Sequence, residues 1–436
     1  METPDAPISV LILHRVGNPS CAPRFLRSHA MSFAESIGAA RCLFHDISLP
    51  LPAYVREATF DGVFLDVTML GARWRGAEAY RDVREQYAFV RELNAVKIAF
   101  PQDEYDCHEV LDEWLCDWRV DVVMSVLDRH HEVLYPKYLL QGRIEVGFTG
   151  YVDQRLLSFP TRPHATRRID IGYRAKRLPP YFGHVGETKW TIGRDVLARS
   201  RGTDLAVDIA VGDAATIAGE GWLDFVASCR FMLGSSSGSS LLDPRGEIQT
   251  RVRHYLRQHP RAEFAEVEAA CFPGLDRVHE FTAISPRNLE AAVLGTGQLL
   301  VDGEYSGILK PGEHYIALRP DASNFDEVVE AMRDAPAIEA MIRRCREAIL
   351  DEPRLRYDSR NRTLADLVVR GLPPSGPRMT PRAADALLAQ YQCDMCKRYT
   401  QLWRQQAIAH KVRRCIDAAP APIGRVLRRL ASAVRR

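Results

Sequence analysis

The segment ISPRNLEAAVLGTGQLLV, residues 284–301, holds the densest chemistry in this chain of 436 residues. Ser285 is a helix-capping type and Pro286 suits a first helical turn, so backbone N–H groups there are expected to stay free and attract an anion. Arg287 flanks the same helix start, and Glu290 falls one turn in, where a carboxylate can accept hydrogen bonds from a sugar diol such as a ribose. The bland alternative is a capped helix carrying a solvated glutamate. A second segment, FMLGSSSGSSLLD at 231–243, runs a strand into a turn of small hydroxyl residues. There Ser235, Ser237 and Gly238 would let the backbone approach a phosphate closely, although a loop without a ligand has the same composition.

A third segment, IDIGYRAKRLPPYFGHVGETK at 169–189, places Arg174 at a strand's carboxyl end and Lys189 near the start of the next helix. Two cations so placed could neutralise a diphosphate and stabilise it as a leaving group; as the alternative they are surface charge. In the first half, AFPQDEYD at 99–106 ends an apolar strand in acids, among them Asp103 and Glu104. These could act as general base or orient a hydroxyl, or they could cap the helix that follows. His14, at the end of the first strand, reads as structural. Of ten cysteines only Cys393 and Cys396 have ligand spacing, and with no second Cys or His pair nearby they read as packing residues.

Elements that could position these groups alternate along the chain. Strands are expected at 8–14, 62–67, 95–100, 120–126 and 144–148, with helices at 25–37 and 77–93 between them, the pattern of a βαβ sheet. The aperiodic stretch SFPTRPHATRR at 158–168 reads as a linker. A second series then predicts strands at 169–173, 205–209, 231–233 and 297–301 and helices at 191–200, 222–228, 286–294, 324–334 and 337–348. A Pro/Gly-rich break, GLPPSGPRMTPR, precedes a terminal helical stretch. The expected fold is α/β: two tandem doubly wound Rossmann-like domains, at 1–160 and 161–372, with a basic helical extension at 373–436. Such sheets bind ligands at the carboxyl ends of their strands, which puts the site in the cleft between the domains.

With these segments in order, the chain resembles bacterial glycosyltransferases of the GT-B fold, especially those of lipopolysaccharide and cell-surface polysaccharide synthesis. The resemblance rests on PQDEYD, FTGYV, RRIDIGYRAKRLPPYFGHVGETKWTIG, FMLGSSSGSSLLDPRGEI and the long run from Ile284 through GEYSG to Met332, and spans roughly residues 95–330. It implies transfer of a sugar from a nucleotide-sugar donor, held mainly by the second domain, to a glycan or lipid-linked acceptor met by the first. It further implies that Arg174 and Lys189 contact the donor diphosphate, that Glu290 grips the ribose, and that Tyr305, Ser306 and Gly307 lie over the donor. Many retaining members carry another glutamate eight residues before the ribose-binding one; here that position is Thr282, which leaves retention and inversion both open. The absence of an Asp-X-Asp triplet fits a transferase that needs no metal or other cofactor and neutralises the leaving group with cations and a helix terminus. Two other readings stand beside this one: a nucleotide-sugar epimerase of the same architecture, which would alter the sugar on its nucleotide without an acceptor, and a non-catalytic scaffold, which would bind no nucleotide.

Composition bounds these readings. A hydrophobic fraction of 46% supports a sizeable core, and no apolar run reaches the ~18 residues of a membrane span. The first residues lack the basic start of a signal peptide, so the expectation is a cytoplasmic chain. A net charge of +2 argues against a dedicated nucleic-acid binder. The average conceals a division: residues 378–436 hold thirteen Lys or Arg against three acids, a balance of +10, which leaves −8 for the rest. Val426, Leu427, Leu430 and Val434 share one helical face among arginines, the pattern of a helix that lies on anionic lipid at the inner membrane or packs on protein.

Overall fold

Short strands buried on both faces belong inside parallel sheets flanked by helices. A computed structural model describes residues 8–38, 40–212, 217, 220–372 and 378–418 of the chain. In the first half, β1 (Ser9–His14), β2 (Arg41–Asp46), β3 (Gly62–Leu65), β4 (Val96–Ala99), β5 (Val122–Ser125) and β6 (Arg143–Val146) form one sheet in the order β2-β1-β3-β4-β5-β6. Every pairing in it is parallel. Alternate residues feed two cores: Leu11, Leu13, Val63 and Val123 on one face, Val10, Ile12, Phe64 and Val122 on the other.

In the second half, β7 (Ile169–Ala175), β8 (Val207–Val211) and β9 (Cys229–Gly234) join β12 (Gly297–Val301) and β13 (Ile316–Leu318) in the order β13-β12-β9-β7-β8. Between them, β10 (Ser237–Ser239) and β11 (Phe281–Ala283) pair antiparallel. They enclose helices Glu247–Gln258 and Phe264–Cys271, which have a small core of their own. In both large sheets the strand order reverses beside the first strand, at β1/β3 and at β7/β9. Ligand crevices of doubly wound folds open at such points.

The domains are joined by more than their linker. Backbone bonds run from Cys107 N to Asp243 O (2.7 Å) and from Asp243 N to Tyr105 O (3.0 Å), and Val152 pairs with Arg356. Helix Tyr357–Gly371 crosses back to the first sheet: its Leu364, Ala365 and Val368 pack with Val10 and Phe64, because their apolar stripe fits that sheet's open face. The terminal helix Pro381–Ala418 also returns to the first domain, where Tyr391 and Met395 are buried. Among the described residues no helix is long and apolar enough to cross a membrane. The Pro/Gly-rich residues 373–377 and the face formed by Val426, Leu427, Leu430 and Val434 lie outside the described residues.

Candidate active site

Side chains alternate along a strand, and on β7 that alternation separates two of the expected cations. Tyr173 faces helix Gly183–Arg199, its hydroxyl donating to the carbonyl of Lys189 at 2.6 Å. Arg174 points to the opposite face, where its guanidinium stacks on Phe225 at 4.1 Å and pairs with Asp208 of β8 at 2.9 Å. The structure therefore does not bring Arg174 and Lys189 together as the expected pair. Arg287 takes the neighbouring place: it is exposed, donates from Nη1 to the Arg174 carbonyl and lies 5.0 Å over the Trp222 ring.

Among the described residues the Lys189 ammonium meets no hydrogen-bond or ion-pair partner. Burial depresses its pKa to about 8; Asp103 of the first domain opposes that shift, and Arg287 reinforces it. Lys189 is thus acted on by an opposite charge from the first domain and a like charge from its own. An ammonium that is partly desolvated and unpaired gains most from an incoming anion. Ser235, just past the end of β9, adds a buried hydroxyl with no partner.

The two acids of PQDEYD part company. Asp103 has φ +46° and accepts from the Tyr105 hydroxyl at 2.7 Å while staying partly exposed. Glu104 is wholly buried and accepts from Ser125 Oγ (2.7 Å), Val126 N (2.7 Å) and the Tyr135 hydroxyl. It anchors the loop after β5 and cannot reach an acceptor. Burial pushes its carboxyl above the usual range, and the three donors pull it back.

Helix Pro286–Val293 starts with a capping box, as expected from Ser285. Its consequence differs: Arg287 N donates to Ser285 Oγ (3.3 Å) and Asn288 N to Ser285 O (3.0 Å), while Pro286 has no N–H. The first-turn amides are largely spent on the cap, so positive side chains must supply most of the anion's stabilisation. Glu290 lies one turn in, its Oε2 accepting from Trp222 Nε1 at 2.6 Å and its Oε1 facing Arg24 Nη1 at 3.4 Å. Arg24 also pairs with Asp153. Burial raises the Glu290 carboxyl, against the pull of Trp222, Arg24 and Arg287. A narrow pocket lined by Arg24, Ser28, Tyr151, Asp153, Glu290 and Tyr357 opens beside it.

Other expected contacts prove architectural. Tyr305 is wholly buried with its hydroxyl on Val301 O (2.7 Å), because it packs under β12 against Tyr315. Ser306, at φ +54°, accepts from Ile284 N at 3.0 Å and so fixes the strand end before the helix; Gly307 completes that turn at φ +65°. Ser237 pairs with Ala283, and Gly238 at φ +137° lies so close to the Phe281 carbonyl that any Cβ would collide at 1.8 Å. Its lack of a side chain serves the β10/β11 pairing, not a ligand. His14 is buried, with Nδ1 accepting from Val16 N at 3.2 Å, in keeping with a structural role. Cys393 and Cys396 are both exposed, so neither packs as expected.

Three functional candidates had no clear signal in the sequence. Arg24 and Trp222 meet Glu290 only through the fold. His130, after β5 at φ +66°, meets the rings of His279 (5.3 Å) and Phe281 (5.4 Å) edge to face; the doublet His130-His131 following a strand end is its one trace in the sequence. Burial, then His279, lowers its pKa.

No family model matches the chain, and no curated protein does. Solved structures are similar to it in outline. One is an alpha-glucosyltransferase in complex with UDP and a 13-mer DNA containing a HMU base, at 9% identity over 83% of this chain and 99% of that chain, TM-score 0.46. Another is Anabaena HepE in complex with UDP-glucose, at 12% identity over 83% of this chain and 100% of that chain, TM-score 0.43. Sucrose-phosphate synthase from Thermosynechococcus elongatus follows at 11% identity over 83% of this chain and 98% of that chain, TM-score 0.44.

Proposed function

We propose that this chain is a metal-independent glycosyltransferase that uses a nucleotide-sugar donor. The observation that carries the reading is the half-buried Lys189 ammonium, which meets no hydrogen-bond or ion-pair partner among the described residues while the charges of Arg287 and of Asp103 from the other domain act on it. The bond from sugar C1 to the terminal phosphate oxygen breaks, and its electron pair stays on the diphosphate. Lys189 and Arg287 stabilise that charge as it grows, which is worth most where water is excluded. Glu290, oriented by Trp222, takes the ribose hydroxyls. Arg174 reaches the phosphates only by exchanging Asp208 for them. The acceptor oxygen forms the new bond to C1, and Asp103 orients its hydroxyl and accepts its proton.

The quoted segments favour a glycan or lipid-linked acceptor in cell-surface polysaccharide synthesis. The charge of −8 outside residues 378–436 disfavours a nucleic-acid acceptor, whose phosphates it would repel. The basic terminal residues would hold the enzyme at an anionic membrane surface. Phosphatidylglycerol vesicles should retain the full chain and release one ending at residue 418; equal retention would contradict this.

The testing experiment is a thermal-shift screen against UDP-, GDP-, CMP- and dTDP-sugars, followed by transfer assays with the sugar that raises stability. One class should bind and be turned over unchanged in EDTA. Binding by none would overturn the reading, and loss of turnover in EDTA restored by manganese would overturn metal independence.

A further inference from the structure

The first sheet has two edges, and the fold treats them differently. At β2, the outward groups Asp46 N–H and Phe44 C=O are closed by one hydroxyl of the terminal helix: Tyr399 accepts from Asp46 at 2.9 Å and donates to Phe44 at 3.2 Å. At β6 nothing corresponds. Arg143 N donates to Asp121 O (3.2 Å) and Gly147 N to Ser125 O (2.6 Å), so the odd-numbered residues of β6 bond to β5. Ile144 and Val146 therefore turn their N–H and C=O outward, and no partner meets these groups among the described residues. The turn before this edge exposes Leu140 (87%) and Leu139, and Val146 is exposed as well.

Edges are blunted against pairing by shortness, charged side chains, prolines or bulges, and a charge does so by meeting its like in a second copy. This one carries Arg143 and Glu145, opposite in sign, two residues apart and on the same face, 3.3 Å from one another and both exposed. We propose that β6 pairs antiparallel with β6 of a second copy about a two-fold axis through Ile144, making one continuous sheet. In that register Ile144 lies opposite Ile144 of the partner subunit, and the two exchange both outward hydrogen bonds, as their orientation requires. Arg143 then faces Glu145 of the partner subunit, and Glu145 faces Arg143 of the partner subunit. The strand is its own complement, as an isologous interface demands. A register one residue away would turn Ile144 against a charge and direct the open N–H groups past one another.

Charge reversal tests this directly. Sedimentation of the full chain from about 1 to about 100 μM spans the affinities open to a small interface. The wild type should pass from monomer to dimer in that range. R143E and E145R, each placing like charges opposite one another twice, should weaken dimerisation at least about tenfold. An equimolar mixture of the two variants should regain the dimer, because each then supplies the charges the other lacks, and so should the double variant R143E/E145R. Both variants should keep wild-type melting temperatures, since these side chains are exposed. A wild type monomeric throughout, single variants that dimerise as before, or a mixture that stays monomeric would each overturn the proposal.

Discussion

The two points where strand order reverses are built from similar residue types and used in opposite ways. Beside β1 and β3, the buried acids Asp46 and Asp66 are both matched. Asp66 accepts from Thr68 N at 2.8 Å and lies 3.5 Å from His29, while Asp46 accepts from Gly17 N (2.8 Å) and Ser48 N (2.9 Å) beside His14. All four side chains are buried. Beside β7 and β9, neither the Lys189 ammonium nor the Ser235 hydroxyl meets a partner among the described residues, and Arg287 is exposed. Polar groups at the first point stabilise the fold because their bonds are made. Those at the second are left for a ligand, since an unmet charge gains far more from a new partner than a paired one.

If that contrast is right, substitutions at the two points fail in different ways. Lys189→Ala should lower kcat/KM for transfer about 100-fold, the loss of one or two charge-assisted bonds at about 1.5–3 kcal/mol each, with the melting temperature unchanged. Asp66→Ala should do the reverse, lowering unfolding free energy by about 2 kcal/mol in urea titrations while donor affinity holds. Loss of donor binding in that variant with stability intact would break the comparison. Glu290→Gln should weaken donor binding about tenfold, because the amide keeps one acceptor and loses the charge that favours a ribose diol. Arg174→Ala, its guanidinium already held by Asp208, should cost only a few-fold in the same titration.

Acidity offers a finer test. Burial depresses the Lys189 pKa to about 8, so the free protein loses the ammonium as pH rises through that value, and a bound diphosphate favours the protonated form. Donor affinity should therefore be highest below pH 8 and fall by up to about tenfold per pH unit above it. Lys189→Arg should bind with no such fall. A wild-type profile that stays flat to pH 9.5 would remove Lys189 from the phosphates.

Much of the fold was legible because β1 and β12 carry the apolar runs Val10–Leu13 and Leu299–Val301 and are buried along their whole length. β2 was not, since Arg41, His45 and Asp46 interrupt its apolar residues, and Arg41, His45 and the Asp46 N–H find partners on a helix more than 300 positions away. β10 and β11 are three residues each and hold together through a backbone approach that only Gly238 permits. The site was legible in its residue types, less so in their orientation. Asp103 and Glu104 are adjacent, yet Asp103 stays partly exposed and Glu104 enters the core, because Asp103 itself takes the left-handed conformation. Tyr305 and Ser306 divide similarly. Arg24 and Trp222 could not be found from spacing, since they reach Glu290 from 266 and 68 residues away.

The central claim is that the second reversal point, and not the first, holds the donor diphosphate through Lys189. Isothermal titration of the nucleotide sugar selected by the thermal screen, into wild type, Lys189→Ala and Asp66→Asn at pH 7, tests it most directly. The account predicts equal dissociation constants for wild type and Asp66→Asn and one about 100-fold weaker for Lys189→Ala. Equal binding by Lys189→Ala and wild type would contradict it.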